Sequence, residues 1–261
     1  MGMANLTKDY WNSIGDTGSG AFGIGSFGDG GDCEVLYRHY LEIKHLNKIL
    51  KFNKSMKVLE LGCGAGRFAY SIAPYVDKYV GIDYSLEGIQ IAKEVCENAA
   101  IDNVDFIQAS IIDFDYSEKF DVIYFGGVIQ YLNDEDIKKT LTNLKNFIKE
   151  DTIIIDRSSV RNNVRHIADS ILYYCIYRTP REIEILFKEA DFKLIYRKRS
   201  YRFLRCGNFL KKHYDKVQKF KPVSFIIMNY VSLVFDKFIY SDLRGNYLSH
   251  DFFVFKRGDK I

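Results

Sequence analysis

Short apolar runs alternate with longer, helically periodic segments through the middle of the chain. The runs have the length and composition of buried strands: residues 56–61, 79–82, 104–107, 121–125 and 152–156. In the segments between them, apolar residues recur every three or four positions, which is typical of helices packed on one face: residues 67–75, 85–99 and 134–149. Strands that alternate with helices predict an α/β fold with a parallel sheet covered on both faces.

The same pattern extends the fold at both ends. Helical spacing begins at Asp32, a suitable N-cap, and continues to about Phe52, which predicts a helix before the first strand. Thr179 and Pro180 predict the start of another helix, because threonine caps helices and proline fits the first helical turn. Two further strands are predicted after it, at 192–204 and 251–256.

Two stretches do not fit this alternation. Residues 12–31 contain eight glycines interleaved with aromatic residues, which predicts a mobile flap, with a partly disordered leader as the alternative. Residues 205–248 contain an apolar run at 223–235, which is shorter than the ~20 residues that span a bilayer. That run is either a buried cap helix, which we favour, or a helix lying on a membrane. The predicted units are a flap (1–31), a core (32–204), a helical cap (205–248) and a last strand with its tail (249–261).

Composition and charge limit the cellular compartments and the kinds of partner that are expected. The chain has 261 residues and five cysteines without C-x-x-C spacing, which favours a reducing compartment and argues against a structural metal. The first residues lack the apolar run of a secretion signal, so a cytoplasmic protein is expected, with peripheral membrane contact through 205–248 as the alternative. Residues 1–192 carry 21 Lys/Arg against 29 Asp/Glu, a net −8, whereas residues 193–261 carry 16 against 5, a net +11. The basic part suits an anionic substrate, an anionic membrane or nucleic acid, or is simply solvated.

Three glycines follow the first predicted strand. Gly62, Gly64 and Gly66 allow a sharp turn with bare backbone, and the helix after them offers unpaired N–H groups to a ligand. The third glycine comes one place too early for a dinucleotide fingerprint, and no P-loop pattern occurs, so pyrophosphate binding is disfavoured. Glu60 suits a cationic group of the ligand, and Asp83, at the end of the next apolar run, can accept from both hydroxyls of a ribose.

These residues resemble the motifs of the class I S-adenosylmethionine (SAM)-dependent methyltransferases. Val58 to Gly66 matches V-L-[ED]-[LV]-G-x-G-x-G, and Gly81 to Ser85 matches G-x-D-x-S. The alternative is a Rossmann dehydrogenase. The resemblance implies a doubly wound, seven-stranded, mostly parallel sheet whose last strand is antiparallel, here with a helical insertion before that strand.

The resemblance also implies SAM as the cofactor and assigns its contacts. Tyr84 is expected against the adenosine, the main chain of Ile111 at the adenine edge, and Phe125 on the methionine side. Ser110 departs from the family pattern, because many relatives carry aspartate there, and Asp113 is the alternative contact. No metal is expected. The implied cofactor-binding residues are Glu60, Gly62, Cys63, Gly64, Gly66, Asp83, Tyr84, Ser110, Ile111 and Phe125.

The stretch after the fourth strand bears on the acceptor. Methyltransferases that act on the amino groups of bases carry [DNS]-P-P-[YFW] there, whereas this chain has no proline between residues 75 and 179. Methylation of that type is therefore disfavoured, and the stretch from Gly126 to Leu132 resembles enzymes that methylate small molecules or glycans. Gln130 and Tyr131 are expected to reach the substrate, and for Tyr131 a packing role is the alternative.

Arg157, Arg161 and Arg165 are spaced by four. On a helix this spacing predicts three guanidinium groups along one face, which a phosphate or carboxylate of the substrate would neutralise. The alternative is that they point into solvent or pair with surface acids. His166 follows and is the first candidate for a general base, with Tyr131 as the second.

The expected activity is transfer of a methyl group from SAM to an oxygen or nitrogen of a small, anionic metabolite or glycan. Tyr10 and Trp11 precede the glycine-rich stretch and are expected to close over the substrate. Nucleic acid is disfavoured as a partner. Two alternatives remain: an RNA methyltransferase that uses the basic C-terminal third, and a SAM-binding protein without catalysis.

Overall fold

A central seven-stranded sheet carries helices on both faces. The computed structural model describes residues 32–169, 174–202 and 248–258. The helices are α1 (Asp32–Ile49), α2 (Arg67–Ile72), α3 (Leu86–Asn98), α4 (Asp134–Leu144) and α5 (Pro180–Glu189). The strands are β1 (Lys57–Leu61), β2 (Lys78–Asp83), β3 (Val104–Gln108), β4 (Phe120–Phe125), β5 (Ile148–Arg161), β6 (His166–Asp169), β7 (Tyr174–Tyr177), β8 (Phe192–Arg202) and β9 (Leu248–Arg257).

The strand order confirms the predicted fold class. The main sheet has the order β3-β2-β1-β4-β5-β9-β8, and its first five strands run parallel. The last strand, β9, lies between β5 and β8 and is antiparallel to both. A separate antiparallel pair, β6 and β7, was not predicted.

The sheet divides the core into two layers. On one face, Phe187 of α5 stacks on Phe255 of β9 with ring centroids 3.9 Å apart, and α4 packs beside them. On the other face, α1, α2 and α3 cover a second apolar cluster that includes Leu46 and Phe68. β1 lies between two parallel neighbours, so its residues from Val58 to Leu61 are buried on both faces of the sheet, Glu60 among them.

Side-chain caps fix where several helices begin. The Ser85 hydroxyl accepts from the Gly88 N–H at the start of α3, and Thr179 forms a reciprocal capping box with Glu182 at the start of α5. The predicted start of α5 is therefore confirmed. The predicted helix at 134–149 is too long, because α4 ends at Leu144 and β5 already begins at Ile148.

The fifth strand is much longer than the predicted 152–156. β5 pairs with β4 only as far as Asp156, opposite Phe125, and residues 157–161 pair with β9 instead. These residues, with 248–252 of β9 and 198–202 of β8, form a strand extension beyond the carboxyl ends of β1 and β4. The prediction of a helix from the arginine spacing is therefore wrong. A period of four also keeps residues on one face of a strand, and the pairing partner comes from a distant part of the chain.

Several predictions lie outside the described residues. The predicted flap at 1–31, with Tyr10 and Trp11, is one of them. The predicted cap at 205–248 is another, except for its last residue, Leu248, which begins β9. Among the residues that the structure does describe, no helix is long and apolar enough to cross a membrane.

Candidate active site

The glycine turn (residues 62–66) joins β1 to α2 at the carboxyl edge of the sheet. All three of its glycines have positive φ, at +76°, +50° and +76° for Gly62, Gly64 and Gly66, a conformation that side chains disfavour. A Cβ on Gly62 would lie 2.7 Å from the Cβ of Val128, and one on Gly66 would lie 2.9 Å from that of Ala92. Glycine is therefore required at Gly62 and Gly66 both by the backbone conformation and by close packing against Val128 and Ala92.

Asp83 ends β2 beside this turn. Its Oδ2 accepts from the Gly64 N–H at 2.8 Å, and its Oδ1 accepts from the Ser85 N–H at 2.9 Å. Burial raises the pKa of the carboxyl, and the backbone hydrogen bonds oppose that rise. A backbone hydrogen bond from Tyr84 also reaches the carboxyl. A carboxylate has about four lone-pair sites, so Asp83 keeps the capacity to accept from a ribose hydroxyl.

Glu60 lies in β1 beneath the same crevice, with 1% of its side chain exposed. The Tyr79 hydroxyl donates to its Oε2 at 2.7 Å, and its Oε1 lies 3.0 Å from where a Cβ on Gly126 would be. Burial raises its pKa to about 8, which the Tyr79 hydrogen bond and the charge of Arg67 oppose. A buried carboxyl with a raised pKa suits a cationic group of a ligand, because a nearby positive charge favours the ionised form of the carboxyl.

The remaining predicted cofactor residues divide between core and surface. Phe125 and Cys63 are buried, and the Phe125 ring packs edge to face on Phe187 at 6.1 Å. Any cofactor contact at Phe125 is therefore through its main chain. Ser110 is exposed and its hydroxyl accepts from the Ile112 N–H at 3.2 Å, so part of its bonding capacity is used locally.

Tyr84 and Ile111 complete the adenine side. The Tyr84 carbonyl accepts from Gln108 Nε2 at 3.3 Å, which ties the residue after β2 to the end of β3. Ile111 is 7% exposed and packs in the core layer with α4. The adenine and ribose contacts assigned to these residues and to Asp83 stay predictions.

The β4 loop (residues 126–133) forms the other side of the crevice, and polar groups hold it at several points. Gly126 O accepts from Arg157 at 2.9 Å. The Gln130 side chain is 4% exposed; its Oε1 accepts from the Ser159 N–H at 3.1 Å and its Nε2 donates to the Tyr131 hydroxyl at 3.1 Å. Arg178, only 1% exposed, donates to the carbonyls of Ile129 and Leu132 at 3.0 and 2.7 Å. The loop is therefore fixed by groups from β5 and from the residue after β7.

The three arginines do not form one row. Arg157 is buried and its Nε pairs with Glu42 Oε1 at 3.0 Å. Arg165 lies beyond the end of β5 and pairs with Asp134 at 2.8 Å. The predicted mutual repulsion is thus relieved by carboxylates at both positions.

Arg161 differs from the other two. It lies on the same strand face as Arg157, further out on the strand extension, and its buried Nε has no hydrogen-bond partner within the described ranges. Substrate binding by the three arginines stays a prediction, and its structural support is now at Arg161.

The predicted base, His166, begins β6 and is exposed, with its ring stacked on Tyr177 at 6.2 Å. Its role, like that of Tyr131, stays a prediction. In the described part of the chain, no group of three or more His, Cys, Asp or Glu could hold a metal ion.

Sequence reasoning missed three buried charged residues near the site: Glu42, Arg178 and Asp156. Asp156 ends the pairing of β5 with β4, and its Oδ1 accepts from the Ser158 hydroxyl at 2.9 Å. Its Oδ2 has no partner among the residues described, and burial raises its pKa to about 7. The only indication of these residues in the sequence is that each is a charged residue within a largely apolar segment. That indication does not reveal their partners.

Comparisons with known proteins agree with this geometry. A family model described as "Methyltransferase domain" matches residues 52–230. An uncharacterized protein, MJ1252 of Methanocaldococcus jannaschii, is 26% identical over 206 residues, which cover 77% of this chain and 75% of that protein. The matches to the first five curated relatives cover only 15% to 41% of those proteins.

Two solved structures have a similar fold. One is the complex of DhpI with S-adenosylhomocysteine (SAH), with a TM-score of 0.62, 13% identity and coverage of 99% of this chain and 98% of that one. The other is magnesium protoporphyrin IX methyltransferase (ChlM) from Synechocystis PCC 6803 with bound SAM, with a TM-score of 0.61, 14% identity and the same coverage. The chain belongs to the methyltransferase domain family, and its fold is that of the class I SAM-dependent methyltransferases.

Proposed function

We propose that this protein is a SAM-dependent methyltransferase that methylates an oxygen or nitrogen of a small, anionic metabolite or glycan. The observation that carries the proposal is the donor side of the crevice. There a bare glycine turn lies beside Asp83 and above the buried Glu60. The glycine turn allows a ligand to approach the main chain closely. Asp83 fits the hydroxyls of a ribose, and Glu60 fits a cationic amino acid group.

Two carboxylates of the crevice suit the ribose and the methionine end of SAM. Asp83 would accept from the ribose hydroxyls, and Glu60 would balance positive charge at the methionine end. SAM supplies a methyl group already activated on its sulfonium. The protein then has to hold the acceptor atom in line with that methyl and keep water out, which can supply most of the rate.

The acceptor side supports an anionic substrate. The strand extension rises beside the β4 loop, and Arg161 lies on it with an unpartnered, buried Nε as far as the structure describes. A guanidinium matches phosphate or carboxylate with two parallel hydrogen bonds. His166 and Tyr131 are proposed to remove a proton when the acceptor is a hydroxyl or a protonated amine.

RNA is the second candidate acceptor, and one observation favours it. Lys44 and Lys48 of α1 and Lys51 just after it are exposed, and none has an ion-pair partner among the described residues. The charges of Lys48 and of Lys198 in β8 both act on His45, which brings β8 to the same surface. Such a basic surface attracts phosphates, but binding through it would fall steeply with salt. A protein that binds SAM without catalysis remains the third hypothesis.

A labelling experiment separates the three. The protein would be incubated with a cell extract and SAM labelled on its methyl group, and the products separated by anion exchange with and without ribonuclease. We expect label in small anionic molecules that ribonuclease leaves unchanged. Label lost to ribonuclease would support RNA, and no label would support a protein without catalysis.

Variants of the two arginines sharpen the same experiment. Arg161→Ala should lower labelling without changing SAM affinity, because its proposed contact is with the acceptor. Arg181→Ala is the matched control, because Arg181 is exposed on α5 and pairs with no carboxylate among the described residues. Equal labelling by Arg161→Ala and Arg181→Ala would contradict the anion-binding role.

A further inference from the structure

Glu42 of α1 is a buried carboxylate between two arginines. Its side chain is 0% exposed; its Oε1 is 3.0 Å from Arg157 Nε, and its Oε2 is 2.9 Å from Arg67. Burying one negative and two positive charges is unfavourable unless they are paired with good geometry. This pairing joins two elements that are distant in sequence. The helix α1 precedes the glycine turn, and Arg157 of β5 lies almost a hundred residues after that turn.

Each arginine leads to one side of the crevice. Arg67 is the first residue of α2, directly after the glycine turn. Arg157 donates to Gly126 O at 2.9 Å at the start of the β4 loop. Gly127 has a φ of +96°, and a Cβ there would lie 2.6 Å from the Arg157 guanidinium. The guanidinium thus fills the space beside the turn and sets the position of its main chain.

The two sides approach each other beside Glu60, the carboxyl that we assign to the methionine half of the donor. A Cβ on Gly62 would lie 2.7 Å from the Val128 side chain, and a Cβ on Gly126 would lie 3.0 Å from Glu60 Oε1. The ribose half, by contrast, is assigned to Asp83 at the end of β2, on the other side of β1. A shift at Gly126 and Gly127 would therefore move the contacts of one half of the donor and leave those of the other.

We propose that Glu42 and Arg157 are positioning residues for the methionine half of SAM. Neither touches the donor; Arg157 acts through the main chain of Gly126 and Gly127, and Glu42 holds Arg157 in place. The helix α1 is thereby part of the donor site although it lies outside the motifs. This inference rests on SAM as the donor and is independent of the identity of the acceptor.

Ligands that share the adenosine half provide the test. SAM and SAH carry the amino acid, whereas 5′-methylthioadenosine lacks it. In Arg157→Lys, the single ammonium cannot keep the ion pair with Glu42 and donate to Gly126 O at once, because it lacks the guanidinium fork. By calorimetry we expect the dissociation constants of SAM and SAH to rise about tenfold and that of 5′-methylthioadenosine to stay within about twofold.

Two further variants keep the test decisive. Arg197→Lys is the matched control, since Arg197 pairs at 2.8 Å with the buried Asp251. It lies on β8, which β9 and β5 separate from β4, so all three affinities should stay unchanged. Gly127→Ala pushes on the Arg157 guanidinium from the partly exposed loop and should reproduce the selective loss even if Arg157→Lys does not fold.

Three results would count against the proposal. An equal loss for all three ligands in Arg157→Lys or Gly127→Ala would indicate a general structural role, and no loss would exclude a positioning role. A wild-type protein that binds none of the three would contradict the proposed function itself, which distinguishes the two failures.

Discussion

The donor half and the acceptor half of the crevice are built differently. In the donor half, the main contacts join residues 19 positions apart, as between Glu60 and Tyr79 and between Gly64 and Asp83. In the acceptor half, Arg178 reaches Ile129 over 49 positions, and Arg157 contacts His250 over 93. One unit of strand, turn, helix and strand therefore makes the donor half, whereas the acceptor half depends on long-range strand pairing.

Because of this difference, we expect substitutions in one half to affect mainly stability and substitutions in the other half to affect mainly cofactor binding. Long-range anchors such as Arg178 should mainly stabilise the fold and the β4 loop, whereas short-range groups such as Asp83 should mainly bind the cofactor. Substitutions in the two halves can then be compared by two readouts, the free energy of unfolding and the affinity for SAM.

The largest effect is expected at Arg178, in the acceptor half. Arg178→Met removes an arginine that shares Asp134 with Arg165 and leaves two loop carbonyls without their donor, so the free energy of unfolding should fall by about 3–5 kcal/mol. Urea denaturation measures it, with the exposed Arg181→Met as control. A loss below about 1 kcal/mol would show that this anchor is dispensable.

A substitution in the donor half should have the opposite profile. Asp83→Ala removes two charge-assisted hydrogen bonds to the ribose and frees the Gly64 N–H, so SAM binding should weaken by about 2–4 kcal/mol. Calorimetry measures it, and Asp102→Ala, at an exposed position before β3, is the control. Unchanged SAM affinity in Asp83→Ala would remove the donor assignment.

The same division explains what the sequence could predict. The glycine turn, Asp83 and Glu60 lie in one short stretch of sequence. The spacing of these residues is enough to predict the fold and the class of cofactor. The arginine row failed, because a period of four suits a strand as well as a helix and the β9 partner of residues 157–161 lies some ninety positions away. Glu42 could not be found for the same reason, since its partners Arg67 and Arg157 come from two distant elements.

An intermediate effect is expected at Arg161, which tests whether the acceptor half also binds an anion. Once the acceptor is known, Arg161→Ala should weaken its binding by roughly 2–3 kcal/mol, because a bidentate contact is lost, and should leave SAM affinity nearly unchanged. Steady-state kinetics with both substrates measures it. A lower SAM affinity with an unchanged acceptor KM would contradict the prediction.

Per pH unit, the smallest effect concerns the buried Glu60 and the pH dependence of stability. Its pKa of about 8 in the folded protein exceeds the ordinary value of 4.5, so the folded state binds the proton more tightly. Its contribution is fully present below pH 4.5 and is lost as pH rises towards 8, with a slope of at most about 1.4 kcal/mol per pH unit.

The measurement is a difference between two proteins. Urea unfolding of wild type and Glu60→Gln at several pH values isolates this residue, because the other titrating groups are common to both. Glu60→Gln should gain stability relative to wild type as pH rises from 5 to 8. A difference that is constant over this range would show that Glu60 does not titrate there.

Calorimetric titration of the wild-type chain with SAM, SAH and NAD tests the donor half most directly. A glycine turn beside Asp83 and Glu60 should bind SAM and SAH, and the early third glycine should exclude the pyrophosphate of NAD. We therefore predict saturable heats with SAM and SAH and none with NAD. Binding of NAD in place of SAM would contradict the assignment of this crevice to a methyl donor.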